Sequence, residues 1–481
     1  MGDHASNSPP EPLEPRARPA GGTEYSWCKA VPTGTGITVL TLILSKPPDL
    51  SLLQNTFNKF QSSHPLLRSK LRFDPTSSTF SFITPPSPQT QIQPFDLPST
   101  SRILQAHPNA HSIDPHHLIL EHELNQNTWR DNDKPLDADA DMFFASVYAL
   151  SDARWVVALR FHTSVCDRAS AVALLRELLE EMCGGGSGGT EGEFEGKTEV
   201  SLGIEDYIPS GKDRKAFWAR GVDVLGYSLN SFRLSQLDFL DVESPRFSQV
   251  VRLQMSADET SKLVDGCKTR GIKLCSAIAA AGVLAAHASK HLTDSQKEKY
   301  AVVTLMDCRP ILEPILSNNH IGFYHSAILN THDVTGDEQL WELAIRCYTS
   351  FNNAKKYNKH FTDMSDLNFL MCKAIDNPGL TPSSSLRTAF ISVFEEPVTD
   401  ESSEKHREVG LEDYVGCSSV HGVGPSIAVF DTIRDGKLDC ACVYPSPLHS
   451  REQMLGLIDS MKKVLVGAGN LVENGKNFTT T

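Results

Sequence analysis

Residues 161–170 read Phe-His-Thr-Ser-Val-Cys-Asp-Arg-Ala-Ser and are the most informative segment of the sequence. The residues leading into it, Arg154–His162, alternate between two largely apolar faces, which indicates a strand buried inside a sheet. The residues after it, Ala169–Met182, carry apolar side chains at helical spacing and end at the glycine-rich segment 184–189. The stretch is therefore predicted to contain a loop that joins a buried strand to a helix.

Strands and helices continue on both sides of this loop. Met142–Leu150 is predicted to form a hairpin with Arg154–His162 across a short turn. The second half is also predicted to contain both strands and helices, with a strand at Phe247–Met255 and an alanine-rich helix at Leu274–Ser289. Mixed strands and helices in two halves predict an α/β protein of mixed α+β type with two lobes.

The composition excludes several classes of protein. The 481 residues carry 45 Lys and Arg against 59 Asp and Glu, which gives a net charge of −14. A general binder of nucleic acid or of anionic membranes needs a basic surplus, so neither partner is expected.

The longest apolar runs fall well short of the ~20 residues of a bilayer span, so no membrane segment is predicted. Eleven cysteines, without a Cys-x-x-Cys pair, indicate a reducing compartment, and a cytoplasmic location is expected.

Two other chemistries find no support in the sequence. The histidines and carboxylates of residues 116–123 lie close together, but their spacing matches no standard set of metal ligands. No metal is therefore expected. Ser164 lies in no Gly-x-Ser-x-Gly elbow, so a serine hydrolase is not supported either.

Four segments in chain order resemble the CoA-dependent acyltransferase superfamily. This superfamily includes chloramphenicol acetyltransferases, plant BAHD acyltransferases, peptide-synthetase condensation domains and alcohol acetyltransferases. Residues 162–168 resemble its His-His-x-x-x-Asp-Gly motif, and residues 64–68, His-Pro-Leu-Leu-Arg, resemble its early His-Pro-x-Leu-Arg. Residues 307–310 with 322–324 resemble its second-lobe arginine segment, and residues 436–444 resemble its closing hairpin.

The resemblance implies a role for each residue of the motif. In the family the second histidine is the general base, and the matching residue here is Thr163, whose hydroxyl cannot accept a proton near neutral pH. His162 matches the first histidine, so His162 and Thr163 are the candidate catalytic positions. The motif glycine is replaced by Arg168. Asp167 matches the structural aspartate of the family, and its expected partner is Arg309.

Three further side chains, Ser164, His325 and His421, are candidates for lining the substrate tunnel. Adjacent residues on an extended strand point to opposite faces, so His162 replaces a base at position 163 only if the strand end shifts by one residue. Taken without the resemblance, a lone histidine ending a buried strand is interpreted as a hydrogen-bonded structural residue.

The resemblance also implies the architecture. We expect two chloramphenicol-acetyltransferase-like lobes with a tunnel between them, each a mixed sheet flanked by helices. Residues 24–205 would form the first lobe, 206–244 the crossover and 245–467 the second lobe. Residues 1–23 and 468–481 are predicted to be tails, the first of them disordered.

The implied function is transfer of an acyl group from a CoA thioester to a hydroxyl or amine. Acyl-CoA would be a co-substrate, a small molecule would be the acceptor, and no bound cofactor is expected. Because the general-base position is Thr163, the activity is expected to be weak. The alternative is a non-catalytic protein, a pseudoenzyme, that binds a ligand in the inherited tunnel or a protein partner on its surface.

Overall fold

The computed structural model describes residues 15–107, 112–130, 139–184, 200–215, 234–290 and 296–476. The predicted glycine-rich linker beyond residue 184 and the centre of the predicted crossover, residues 216–233, lie outside the described residues. Residues 1–14 and 477–481 of the two predicted tails lie outside them as well.

The strands, in chain order, are β1 Arg16–Pro19, β2 Thr35–Leu44, β3 Lys70–Asp74, β4 Thr79–Thr84, β5 Ile92–Phe95, β6 Ala140–Asp141, β7 Phe143–Ala149, β8 Trp155–His162, β9 Phe247–Gln254, β10 Glu298–Asp307, β11 His325–Val334, β12 Arg387–Phe394, β13 Val398–Asp400, β14 Leu411–Val420, β15 Gly424–Arg434 and β16 Lys437–Ser446. The α-helices are α1 Gly22–Ala30, α2 Leu50–Ser63, α3 Leu97–Gln105, α4 Pro115–Asn125, α5 Arg168–Met182, α6 Ala257–Thr269, α7 Leu274–Ser289, α8 Leu340–Lys356, α9 Lys359–Thr362, α10 Met364–Asp376, α11 Glu404–Glu408 and α12 Arg451–Lys476. Short 3-10 helices cover Val31–Thr33, Pro65–Arg68, Ile204–Tyr207, Arg309–Ile311, Pro378–Leu380 and Pro382–Ser384.

The first lobe is built around a sheet with the strand order β14–β2–β8–β7–β5. The predicted hairpin is confirmed, because β7 and β8 pair antiparallel. β2 lies between β14 and β8, and all ten of its residues are buried, as expected for an interior strand. β8 ends at His162, and the chain then turns into α5, so the predicted strand–loop–helix unit is also confirmed.

The second lobe is built around a sheet with the strand order β11–β10–β12–β15–β16–β9, and β13 pairs with β15. One face of this sheet packs on α7, whose alanines let the helix approach the strands closely. The other face of the sheet faces the first lobe. The space between the lobes is bounded by this face, β2, β14, α5 and α10.

The lobes are not two consecutive pieces of chain. β14 comes from the second half, yet it pairs antiparallel with β2 of the first-lobe sheet. The predicted boundary between residues 205 and 245 therefore assigns residues 411–420 to the wrong lobe. Backbone hydrogen bonding explains the difference, because β14 covers an edge of β2 that would otherwise be buried without partners.

Both predicted tails extend too far into the chain. Residues 16–19 form β1, where both guanidinium nitrogens of Arg18 bind the buried Glu24 carboxylate at 2.7 and 2.8 Å. The Arg18 guanidinium also lies 4.8 Å from the ring centre of Phe82. At the other end, α12 continues to Lys476, and the Ala468 carbonyl accepts a hydrogen bond from Trp341 at 3.3 Å.

Within the described residues, no single helix is both long and apolar enough to cross a bilayer. Helices α6 and α7 meet that test only when counted together, and they are bent by 106° relative to each other.

Replacing Arg18 with alanine tests the corrected start of the fold. The Glu24 side chain is 3% exposed, so removal of Arg18 would leave a buried carboxylate unpaired. We expect a loss of about 3 kcal/mol in the free energy of unfolding, measured by chemical denaturation. Arg72→Ala is the control, since its pair with Asp139 is exposed and its loss should stay below about 1 kcal/mol. Equal stability of Arg18→Ala and wild type would contradict the assignment of this segment to the core.

Candidate active site

Asp167 is the centre of a buried polar cluster at the start of α5. As the N-cap of that helix, it accepts a hydrogen bond from the Ser170 amide at 2.8 Å. Two nitrogens of the Arg309 guanidinium bind its two oxygens, each at 3.0 Å. Its Oδ2 also accepts from the Tyr324 amide and contacts Nδ1 of His325, both at 2.8 Å. Burial alone would raise the pKa of Asp167, but Arg309 and His325 hold it well below its usual value.

Arg309 links the two halves of the chain through this cluster. Its side chain is fully buried, and besides Asp167 it binds Oδ1 of Asp307 at 2.9 Å and Oγ of Ser170 at 2.9 Å. Its Nε donates to the His320 carbonyl at 3.1 Å. The pair that the sequence suggested is thus present, and a buried cation with two carboxylates and further acceptors is fully compensated.

His162 and Thr163 point in opposite directions, as the alternation of an extended strand requires. Thr163 lines the cavity between the lobes, and its amide donates to the Gly36 carbonyl at 3.0 Å. Gly36 has a φ of +95°, and a Cβ there would lie 2.7 Å from Cγ2 of Thr163, so only glycine fits. His162 faces the interior of the first lobe and does not line that cavity.

The surroundings of His162 make it a poor catalytic group. The side chain is completely buried, and burial lowers the pKa of His162 to about 3. Its Nδ1 binds Oγ of Ser164 at 2.7 Å, and its ring meets Trp129 edge-on at 5.2 Å. Among the described residues its Nε2 has no hydrogen-bond partner. This position is a neutral structural histidine, so the catalytic role suggested for His162 is not supported.

His325 is the imidazole that lines the inter-lobe cavity. It begins β11, and its Nδ1 lies 2.8 Å from Oδ2 of Asp167. An ionised carboxylate can only accept, so Nδ1 carries the proton. In the neutral ring Nε2 then keeps a lone pair. The ring is fixed further by edge-on contact with Phe394 at 5.7 Å, which leaves an oriented base beside the cavity.

Arg168, which replaces the motif glycine, forms part of the same cavity wall. Its guanidinium lies 4.2 Å from the ring centre of Phe394 and pairs with Oδ1 of Asp431 at 3.0 Å. It also donates to the carbonyl of Glu396 at 3.2 Å. Arg168 therefore reaches from α5 of the first lobe to β15 of the second and sets a fixed cation beside the ring that also contacts His325.

The cavity has a volume of about 390 Å³ and mostly apolar walls. Thr163, Asp167, Arg168 and His325 are among its polar lining residues and belong to or adjoin the cluster described above. Pockets of this size and polarity, with a few converging polar groups, are typical binding sites for small molecules.

Two of the predicted tunnel residues do not reach this cavity. Ser164 is fully buried and its hydroxyl is occupied by the His162 ring, because it follows the turn inward. His421 lines a separate cleft with Trp129, and its Nδ1 contacts Oγ of Ser248 at 3.0 Å. Burial lowers the pKa of His421 to about 3, so it too stays neutral. Of the three predicted tunnel candidates, His325 alone lines the cavity.

In the part of the chain that the structure describes, no three His, Cys, Asp or Glu side chains are arranged to hold a metal ion. The sequence named His325 but did not pair it with Asp167. These residues lie 158 positions apart, and no local motif connects them.

No protein-family model and no curated protein matches the sequence. Solved structures match along nearly the whole chain. The trichothecene 15-O-acetyltransferase TRI3 from Fusarium sporotrichioides is 14% identical with a TM-score of 0.69, covering 97% of this chain and 100% of that chain. Polyketide synthase associated protein 5 from Mycobacterium tuberculosis is 15% identical with a TM-score of 0.62, covering 95% and 98%. The epimerization domain of tyrocidine synthetase B is 12% identical with a TM-score of 0.59, covering 98% and 100%.

At such identities the likeness concerns the fold. It confirms the predicted two-lobed, chloramphenicol-acetyltransferase-like fold. An acyltransferase-like architecture is therefore established for this chain, independently of whether its site is active.

Replacing Asp167 with alanine tests the central cluster. The change would leave the buried Arg309 cation without its main partner, and we expect a loss of about 3–5 kcal/mol in the free energy of unfolding. Thermal and chemical denaturation measure the effect. Asp439→Ala, which removes a partly exposed partner of Arg252, is the control and should cost much less. A melting temperature equal to that of wild type would show that the pair does not hold the lobes.

The pH dependence of stability tests the burial of His162. The unfolded side chain takes up a proton near pH 6.5, whereas the folded one does so only at about pH 3. The contribution of His162 to the free energy of unfolding is therefore fully present above pH 6.5. It decreases as the pH falls, by about 2 kcal/mol at pH 5. When the pH falls from 7.5 to 5, the free energy of unfolding of His162→Gln, measured by chemical denaturation, should decrease by about 2 kcal/mol less than that of wild type. Identical pH dependence of the two proteins would mean that the His162 ring is protonated in the folded state.

Proposed function

We propose that the protein transfers an acyl group from a CoA thioester to a hydroxyl or amine, with His325 as general base. The observation that carries the proposal is the 2.8 Å contact between Nδ1 of His325 and Oδ2 of Asp167 at the wall of the inter-lobe cavity. A carboxylate that holds an imidazole in one tautomer is the arrangement that activates a hydroxyl in many acyl-transfer enzymes.

The chemistry follows from that tautomer. Nε2 of His325 accepts the proton of the acceptor hydroxyl while the oxygen attacks the thioester carbonyl. The tetrahedral intermediate collapses, the carbon–sulfur bond breaks, and the CoA thiolate takes up the proton from His325. The products are an ester, or an amide from an amine, and free CoA. Asp167 keeps its negative charge throughout, because Arg309 and His325 hold its pKa low.

Thr163 and Arg168 would contribute donors rather than a base. Both line the cavity with His325, and the hydroxyl of Thr163 and the guanidinium of Arg168 can donate to the oxyanion of the intermediate. In this proposal the loss of the motif histidine at position 163 is compensated by a histidine from the opposite lobe. All eleven cysteines are outside disulfides, which fits the proposed cytoplasmic location, where CoA thioesters are available.

The second candidate function is ligand binding without catalysis. Thr163 occupies the position where the resemblance expects a base, and Arg168 is held across the lobes by Asp431. Such a protein would bind an apolar small molecule in the cavity and release no thiol. The experiment below separates the two functions.

Replacing His325 with glutamine tests the proposed base. We expect kcat to fall about 10²–10⁴-fold, since glutamine keeps a polar side chain but cannot take up the proton. The measurement is thiol release from acyl-CoA in the presence of a panel of apolar alcohols and amines. His332→Gln is the matched control, because His332 is buried in the same strand and does not line the cavity.

Two outcomes would contradict the proposal. Wild-type turnover that survives in His325→Gln but disappears in His162→Gln would place the base on the other side of the strand. Wild-type protein that binds acyl-CoA yet releases no thiol with any acceptor would favour the non-catalytic function. Partial rescue of His325→Ala by added imidazole would distinguish loss of the base from a loss of structure.

A further inference from the structure

The inter-lobe cavity is long and narrow. Its lining follows β15 from Gly424 to Thr432, eight residues apart, which corresponds to roughly 26 Å at ~3.3 Å per residue. Arg387 lies opposite Gly424 at one end, and strand pairing brings His325 close to the level of Thr432 at the other. A volume of about 390 Å³ distributed over this length gives a channel rather than a round chamber.

One wall of the channel, here called its floor, is a row of apolar side chains that stay partly exposed to the cavity. Val303 and Leu305 of β10 and Ala327 and Leu329 of β11 all face the channel and are only partly buried. Their strand neighbours, such as Val302, point to the other face and are buried in the core. Alternation therefore builds a smooth aliphatic surface that a ligand would cover.

Much of the other walls is apolar as well, and the hydroxyls of Thr38, Ser392 and Ser418 lie among these apolar side chains. Ala428 and Phe430 of β15 line the middle of the channel. Helix α10 closes one side with Leu367, Leu370 and Met371, and the flexible thioether of Met371 adapts to the shape of a bound chain. The groups suited to chemistry gather at the end marked by His325.

We infer that the channel binds an extended alkyl chain, with its reacting end at His325. The inference rests on the proposed function only for the orientation of the chain, not for its binding. A compact polycyclic molecule would cover only part of a lining that extends over roughly 26 Å. Over the floor, Val303, Leu305, Ala327 and Leu329 offer a polar group no hydrogen-bond partner, so the part of a ligand that covers them is a hydrocarbon. The substrate class is therefore a long-chain acyl group or a long-chain alcohol or amine.

Binding of a linear fluorescent fatty acid, cis-parinaric acid, to the full-length protein tests the inference. We expect saturable binding that is displaced by hexadecanol or palmitoyl-CoA but not by a steroid alcohol. Ala428→Trp would fill the middle of the channel and should weaken binding at least about tenfold. Ala106→Trp is the matched control, because Ala106 is exposed at the end of α3 and its variant should bind like wild type.

Two further variants keep the test decisive. Leu329→Gln preserves side-chain size on a partly exposed position and should weaken binding about tenfold even if Ala428→Trp fails to fold. Binding of cis-parinaric acid is measured without turnover, so failure of the proposed catalysis leaves this measurement intact. Displacement by hexadecanol or by palmitoyl-CoA identifies the acceptor or the donor as the source of the chain.

Absence of saturable binding would overturn the inference. Equal displacement by the steroid alcohol, or equal affinity of Leu329→Gln and wild type, would overturn it as well.

Discussion

The buried ion pair between Asp167 and Arg309 connects the two halves of the chain at the centre of the site. The two side chains come from different halves of the chain, and removal of either would leave the other charge in the interior without its main partner. The pair therefore fixes how the halves meet: it holds the start of α5 against the loop before β11. The backbone amides of Ser170 and Tyr324 complete the coordination of the carboxylate, so the geometry has little freedom left.

The same carboxylate orients His325, so the ion pair that stabilises the fold also positions the proposed base. A histidine at position 163 would have been placed in the cavity by its own strand, whereas His325 reaches it only because the lobes are docked. Its tautomer depends on the charge of Asp167, which Arg309 maintains. The orientation of His325 is therefore sensitive to any change in lobe docking, whereas a side chain oriented by its own strand would tolerate such a change.

The channel has the same origin in the docking of the lobes. One face of the large sheet packs on α7 and is filled, while the other face is held away from the first-lobe sheet by the elements at its margins. β14 belongs to the second half of the chain, pairs with β2 of the first-lobe sheet and lines the channel. Separate folding of the two halves would leave β2 with an open edge, so the strand exchange ties the formation of the channel to the completed fold.

Local periodicity in the sequence was enough to predict the strand–loop–helix unit around Asp167 and the opposite orientation of His162 and Thr163. The partner Arg309 lies 142 positions from Asp167 and was implied only by the resemblance to the acyltransferase superfamily. The sequence could not determine that β1 joins the core or that Ser164 and His421 turn away from the cavity, because side-chain direction in loops depends on packing. The contact between Asp167 and His325 was decided only by the tertiary structure. These residues are 158 positions apart, and only burial of the Asp167 charge at the docked interface brings the imidazole to it.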